Sequence, residues 1–250
     1  MYYCCGITEK GVMPHNEDAL LIGGQVISEG SVETRVGVPF IAAVSDGVSG
    51  ENSGEIASVM CLERLKNVDD LRKSSLRDSI MAIHDELAEF SRSNSCSRNM
   101  QTTLCGIAVA DDESVIAFNV GDSRLYRYRD GVVRQLSRDQ SLVQLLYEEG
   151  SITREELKTH ARRNIIFPAL GNIKDLPKID IDIISGGFDY GDVLLICSDG
   201  LSDNLSPQDI QEILELPKML SKRLEMLVKT ALERGSTDNI TVAAIIYDGG

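Results

Sequence analysis

Two apolar runs in this chain end on the same three residues. Pro39-Phe40-Ile41-Ala42-Ala43-Val44 leads into Ser45-Asp46-Gly47, and Val193-Leu194-Leu195-Ile196-Cys197 leads into Ser198-Asp199-Gly200. A short continuous apolar run closed by a turn residue reads as a buried strand. Two core strands therefore each deliver an aspartate at the tip, followed by a glycine that lets the backbone turn sharply. Two more acidic segments sit where apolar runs begin: Asn16-Glu17-Asp18 before Ala19-Leu20-Leu21-Ile22, and Ser236-Thr237-Asp238-Asn239 before Ile240-Thr241-Val242-Ala243. A single Asp-Gly at a strand end is a common turn. Recurrence on comparable strands is a stronger pattern, because strand ends can converge in space. Carboxylates gathered at one spot raise one another's pKa unless a cation sits between them. Oxygen donors without histidine or cysteine suit hard ions such as magnesium, manganese or calcium.

A length of 250 residues with 42% hydrophobic content is enough for a full core. No low-complexity stretch or linker rich in proline or serine divides the chain, so residues 1–250 read as a single domain. A net charge of -14 disfavours nucleic acid as a partner, since phosphates would be repelled. A phosphorylated substrate stays open, provided metal ions bring local positive charge. The six cysteines, at 4, 5, 61, 96, 105 and 197, show no metal-finger spacing, and most lie in apolar runs as small hydrophobes. That usage fits a reduced, cytoplasmic chain. The N-terminus lacks a basic segment followed by an apolar stretch, and no run approaches the ~18 apolar residues of a membrane helix. No membrane contact is expected.

Residues 2–7 and 19–27 pattern as strands, the second weakened or bulged at Gly23-Gly24. Residues 53–67 and 74–91 pattern as helices, with Asn52 or Ser53 placed to cap the first. In the second, Leu76, Ile80, Ile83, Leu87 and Phe90 recur at spacings of four and three. His84 lies beside that stripe with no second histidine nearby and reads as an ordinary helix residue. A meander follows at 102–110, 114–120, 125–128 and 132–136, with Asp130-Gly131 as a tight hairpin signal. Residues 141–149 read as a helix ended by Gly150, and Thr153 with Glu156 makes a capping box for a short one. Strands at 179–184, 193–197 and 240–247 follow, with two helices between Ser206-Pro207 and about residue 233. Hairpins dominate, and helices come in two pairs. The expected fold class is α+β: a four-layer α/β/β/α sandwich of two antiparallel sheets flanked by helix pairs.

These segments together resemble the metal-dependent protein phosphatases of type 2C, in their short bacterial form. Asn16-Glu17-Asp18-Ala19 matches the first acidic motif, and Ser45-Asp46-Gly47 with Gly54-Glu55 matches the second. Thr102-Thr103-Leu104 and Val120-Gly121-Asp122-Ser123-Arg124 match the central block. His160-Ala161-Arg162-Arg163-Asn164 and Ala169-Leu170-Gly171 resemble the segment around a mobile flap, and Cys197 to Leu201 and Ser236 to Thr241 the C-terminal motifs. The resemblance implies two magnesium or manganese ions in a cleft at one end of the sandwich, and a third, weaker ion. Carried over by position, Asp46 bridges both ions. The carbonyl of Gly47 completes one shell, and Glu17 and Asp18 hold its waters. Asp199 and Asp238 bind the other ion with Asn239 in support, while Asp122 and Asp203 match the third. The implied reaction is hydrolysis of phosphoserine and phosphothreonine on proteins, by a water bridging the two cations. Asp46, Asp199 and Asp238 are then the catalytic residues. The implied partner is a protein phosphorylated by a serine/threonine kinase, and a monomer is expected. No cysteine is followed by five residues and an arginine, so the cysteine-phosphatase pattern is absent.

The chain departs from the family at the phosphate clamp. An arginine normally stands three residues before the asparagine of the first motif. Here that position is Met13, and the stretch from Gly11 to Asn16 is one residue short. Methionine cannot replace a guanidinium's bidentate contacts, so the phosphate-binding group is unassigned. His15, Arg162 and Arg163 are the candidates. Val48 and Ser49 replace the usual histidine or methionine and glycine, and valine has no proton for the leaving alkoxide. These departures support an alternative: a low-activity or inactive phosphatase-fold module that binds phosphoproteins or a regulatory partner. An acidic calcium-binding protein is a third reading, against which stands the absence of any EF-hand loop.

Overall fold

The computed structural model describes residues 1–48, 53–97 and 99–249. Its elements in chain order are β1 (Tyr2–Glu9), β2 (Asp18–Ile22), β3 (Gln25–Ile27), β4 (Gly30–Val36), β5 (Phe40–Val48), α1 (Gly54–Leu65), α2 (Lys73–Ser93), β6 (Gln101–Thr102), β7 (Leu104–Val109), β8 (Val115–Val120), β9 (Arg124–Arg129) and β10 (Val132–Gln135). Then come α3 (Leu142–Glu148), α4 (Glu156–Thr159), β11 (Asp180–Ile183), β12 (Val193–Cys197), α5 (Asp199–Ser202), α6 (Pro207–Leu214), α7 (Leu220–Glu233) and β13 (Ile240–Tyr247). One antiparallel sheet has the order β10-β9-β12-β13-β1-β4, and the other β11-β8-β7-β5-β2-β3, with β6 added beside β5.

Side-chain alternation turns these sheets into four layers. Along β2, Leu20 and Ile22 enter a core between the sheets, while Ala19 and Leu21 join the core under α1 and α2. Along β12, Leu194 and Ile196 enter the same central core, and Val193, Leu195 and Cys197 join the core under α6 and α7. Three cores separate four layers, as the sequence pattern predicts. The stripe on α2 is the inner face of its layer: Leu76, Ile80, Ile83 and Leu87 are at most 4% exposed. Each such burial contributes about 1.5–3 kcal/mol. Ser206 opens α6 with a complete capping box to Asp209. Thr153 and Glu156 exchange the expected bonds ahead of α4, at 2.7 and 3.3 Å.

Several expectations are corrected. Residues 19–27 are not one bulged strand. Gly23 and Gly24 both take positive φ, at 59° and 75°, and close a hairpin that pairs Ile22 with Gln25. The strand β4 has no apolar run to announce it, because it is an edge strand with alternating exposed positions. Asn52 lies outside the described residues, and the Ser53 hydroxyl donates to the Cys96 carbonyl at 3.1 Å. All six cysteines are free, and five are buried as small hydrophobes.

Candidate metal centre

The register of β2 against β5 places Asp18 directly across from Asp46. The backbone of Asp46 is held from β6 and the residue after it. Its N–H donates to Thr103 Oγ1 at 3.1 Å, and its carbonyl accepts from Thr103 N–H and Thr102 Oγ1, each at 2.8 Å. Thr103 Oγ1 lies 2.8 Å from Ser123 Oγ, which ties the Gly121-Asp122-Ser123 turn to the same point. From the other sheet, Ser198 Oγ donates to Asp18 Oδ2 at 2.7 Å and accepts from Thr241 N–H at 3.0 Å. Asn239 staples the N-terminal motif: its Oδ1 accepts from Glu17 N–H at 2.8 Å, and its Nδ2 donates to the carbonyls of Lys10 and His15 at 3.0 and 2.9 Å. The Asn239 N–H donates to Asp238 Oδ1 at 2.8 Å. Asn239 thus fixes Asp238 and Glu17 at once.

Gly47 and Gly200 serve close approach rather than a turn, which corrects the sequence reading. Neither has a left-handed backbone, and β5 runs on through Gly47. A Cβ on Gly47 would lie 2.5 Å from the Cα of Gly54, and one on Gly200 would lie 1.9 Å from the Asn239 carbonyl oxygen. Any side chain at either place would push the acidic segments apart. A Cβ on Gly54 would meet Glu17 Oε2 at 2.6 Å, so the start of α1 also closes on this end of the sandwich.

The resulting electrostatics are those of carboxylates crowded on one another, with Arg124 near Asp122, and Arg124, Arg163 and Lys158 near Asp203, as the opposing charges. Burial, then the charges of Asp18, Asp199, Asp122 and Asp238, push Asp46 well above the ordinary carboxylate range. Burial, then Asp122, Asp238, Asp203 and Asp18, do the same to Asp199. Burial raises Asp18 to about 7 despite its hydrogen bonds from Thr241 and Ser198. Burial and Asp139 raise Asp122 to about 7. Burial and Glu55 raise Glu17 as well. Among the described residues, the recorded ion pairs of arginine lie at other carboxylates, such as Asp139, Asp192 and Asp209.

These residues fit hard cations. Asp199 Oδ1 is buried and has no hydrogen-bond partner, which is the signature of an oxygen that awaits a ligand. The donor set is all oxygen, as hard cations require. Among the described residues, no group of three or more His, Cys, Asp or Glu side chains is arranged to hold a metal ion. A cavity of about 430 Å³ opens beside Asp199 and Asp238 and includes Asp122 and Asp203. Arg124, Lys158, Arg163 and Asn164 also line it. Met13 is 39% exposed in a turn closed by its own N–H to the Lys10 carbonyl at 3.1 Å. Arg124, from the central motif, is committed elsewhere, in an ion pair with Asp139 and a 3.2 Å bond to the Ser202 carbonyl. Sequence reasoning assigned no role to the hydroxyls of Thr102, Thr103, Ser123 and Ser198. Their one signal was adjacency to the acidic motifs.

The class defined by the fold and the cluster is a helix-flanked double antiparallel sheet with buried acids at its strand ends. The comparisons narrow it. The protein phosphatase 2C family profile matches residues 16–235. A serine/threonine phosphatase of Listeria monocytogenes is 33% identical, over 96% of this chain and 94% of its own length. The crystal structure of a Mycobacterium tuberculosis serine/threonine phosphatase superposes with a TM-score of 0.83 at 29% identity, covering 100% of both chains. The catalytic domain of the phosphatase PstP, solved with two manganese ions, gives 0.79 at 28% identity, over 98% of this chain and 99% of that one. The chain belongs to the protein phosphatase 2C family. It is a protein serine/threonine phosphatase, and its substrates are phosphoproteins. Among the described residues, no helix is long and apolar enough to cross a membrane.

Proposed function

We propose that residues 1–250 act as one cytoplasmic, monomeric phosphatase domain on proteins phosphorylated by a serine/threonine kinase, using two or three magnesium or manganese ions. The observation that carries this reading is the buried, unpartnered Oδ1 of Asp199, a carboxyl whose pKa is raised by burial and by the charges of Asp122, Asp238, Asp203 and Asp18. In this reading Asp46 bridges two ions. The Gly47 carbonyl, with Glu17 and Asp18 holding waters, serves one of them. Asp199 and Asp238, with Asn239 behind them, serve the other, and Asp122 and Asp203 the third. Bound cations act as Lewis acids toward water and the phosphoryl oxygens.

The chain's own residues do the rest by holding position. Thr102 and Thr103 fix the backbone of Asp46, and Ser198 fixes the rotation of the Asp18 carboxylate. Burial keeps the local dielectric low, which strengthens every charge interaction in the site. With Met13 in place of an arginine, the cationic groups on the cavity wall are Arg124, which is paired with Asp139, and Lys158 and Arg163, which suit the charge of a phosphate. Hydrolysis of a phosphothreonine peptide with manganese, repeated after exhaustive chelation, tests the reading. Full turnover in chelator overturns it. Sedimentation at increasing concentration tests the monomer.

A further inference from the structure

Among the titratable side chains of α2, His84 alone is buried, at 3% exposure. Its Nδ1 accepts a hydrogen bond from the Gly171 N–H at 3.1 Å, across 87 residues of sequence. A backbone N–H can only donate, so Nδ1 is the unprotonated nitrogen. Burial lowers the pKa of the ring and keeps it neutral. That N–H is one end of the peptide plane between Leu170 and Gly171. The other end, the Leu170 carbonyl, accepts from the Thr102 N–H at 3.0 Å, and the Leu170 N–H donates to the Thr102 carbonyl at 3.0 Å. Both polar ends of one peptide plane are therefore held, one by a strand and one by a helix side chain. The fit leaves no slack, since a Cβ on Gly171 would lie 2.7 Å from the Met100 carbonyl oxygen. Thr102 in turn pairs with Gly47 in register and donates its hydroxyl to the Asp46 carbonyl at 2.8 Å.

We propose that His84 is a positioning residue of the dephosphorylation reaction: its Nδ1 locks the Leu170–Gly171 peptide plane, which sets Thr102 and, through Thr102, the backbone of Asp46. An apolar residue at position 84 leaves the buried Gly171 N–H without an acceptor. The plane then turns toward another partner and draws the Leu170 carbonyl off Thr102. The effect falls on the geometry that holds cations, so it reaches turnover and metal affinity and spares substrate affinity. The inference rests on the reading of Asp46 as a metal ligand.

The test compares His84→Leu with His84→Asn, whose Oδ1 stands as many bonds from Cβ as Nδ1 does. Manganese binding by calorimetry is measured beside kcat and KM on a phosphothreonine peptide. The expected result for His84→Leu is a loss of about tenfold in both manganese affinity and kcat, with KM within about twofold, as for other residues behind a ligand. His84→Asn restores both. If His84→Leu does not fold, His84→Gln, whose amide sits one bond further out, takes its place against His84→Asn. A His84→Leu protein equal to wild type overturns the inference. So does a His84→Asn protein as impaired as the leucine or glutamine variant, or a loss confined to KM or to melting temperature. Wild-type protein that binds no manganese overturns the metal-centre reading, and this inference with it.

Discussion

Asp192 and Asp199 bracket the same strand, β12, and their surroundings are opposite. Asp192 is 2% exposed in its side chain. Burial pushes its pKa up, but Arg129, with one bond at 2.7 Å and a second to the other oxygen, and the Asp189 N–H at 2.9 Å outweigh it and hold the carboxyl below its usual value. Asp199 is pushed well above that value, with one oxygen unpartnered. Burial is common to both. The difference is the cation: the chain brings one to Asp192, and in the proposed reading a bound ion brings one to Asp199. Arg124 pairs with Asp139 two residues from Asp122, whose pKa burial and Asp139 raise against the pull of Arg124. A buried acid is thus a structural element where arginine pairs with it and, in the proposed reading, a functional one where a bound ion does.

The largest test of this contrast is metal removal. Chelation should abolish hydrolysis of a phosphothreonine peptide and leave the arginine-paired sites, and so the fold, intact by circular dichroism. Next in size is Asp46→Asn, which keeps the shape of the proposed bridging ligand and removes its charge. A loss of at least ~10²-fold in kcat is expected, with unchanged circular dichroism. Unchanged turnover would place the reaction elsewhere. Met13→Arg moves the unpaired site toward the paired design by adding a guanidinium near it. A charge-assisted bond to phosphate of roughly 1.5–3 kcal/mol corresponds to about a ten- to hundredfold gain in kcat/KM. Steady-state kinetics, with inhibition by free phosphate in parallel, measures it.

Smaller effects appear in stability, and there the two aspartates should differ in sign. Asp192→Asn breaks a charge-assisted pair and should cost about 1.5–3 kcal/mol in urea unfolding, with manganese affinity unchanged. Asp199→Asn, measured in chelator, should leave stability equal or higher, because it removes an uncompensated buried charge, while manganese binding is lost. The pH dependence of the metal-free protein carries the same contrast. Asp18 and Asp122 have folded pKa values of about 7, above the unfolded value of ~3.9, so the folded state binds the extra protons. Their stabilising contribution is full below about pH 4 and is lost as pH rises toward about 7. Asp192, with its lowered pKa, contributes above the usual carboxylate range and loses that contribution as pH falls. Thermal melts in chelator across this range should therefore show a decline toward neutral pH that manganese reverses.

Much of the architecture was legible in the residue order. The apolar runs that lead into Asp46 and Asp199, the stripe from Leu76 to Leu87, and the Ser206-Pro207 cap each report a local rule, and each rule held. The acidic ends of the apolar runs were visible for the same reason. The edge strand β4 escaped notice because an exposed strand needs no apolar signal.

The arrangement around the carboxylates came only with the tertiary structure. Thr103 reaches the Asp46 N–H across 57 residues, Ser198 reaches Asp18 across 180, and Gly171 reaches His84 across 87. Gly200 has no side chain because the Asn239 carbonyl lies against it, which no local pattern around Gly200 encodes. Local order along the chain decided which segments become strands and helices and where acids stand on them, because those choices depend on neighbours a few residues away. Chain folding decided which acids meet arginine and which meet only one another, because charge compensation depends on distance in space.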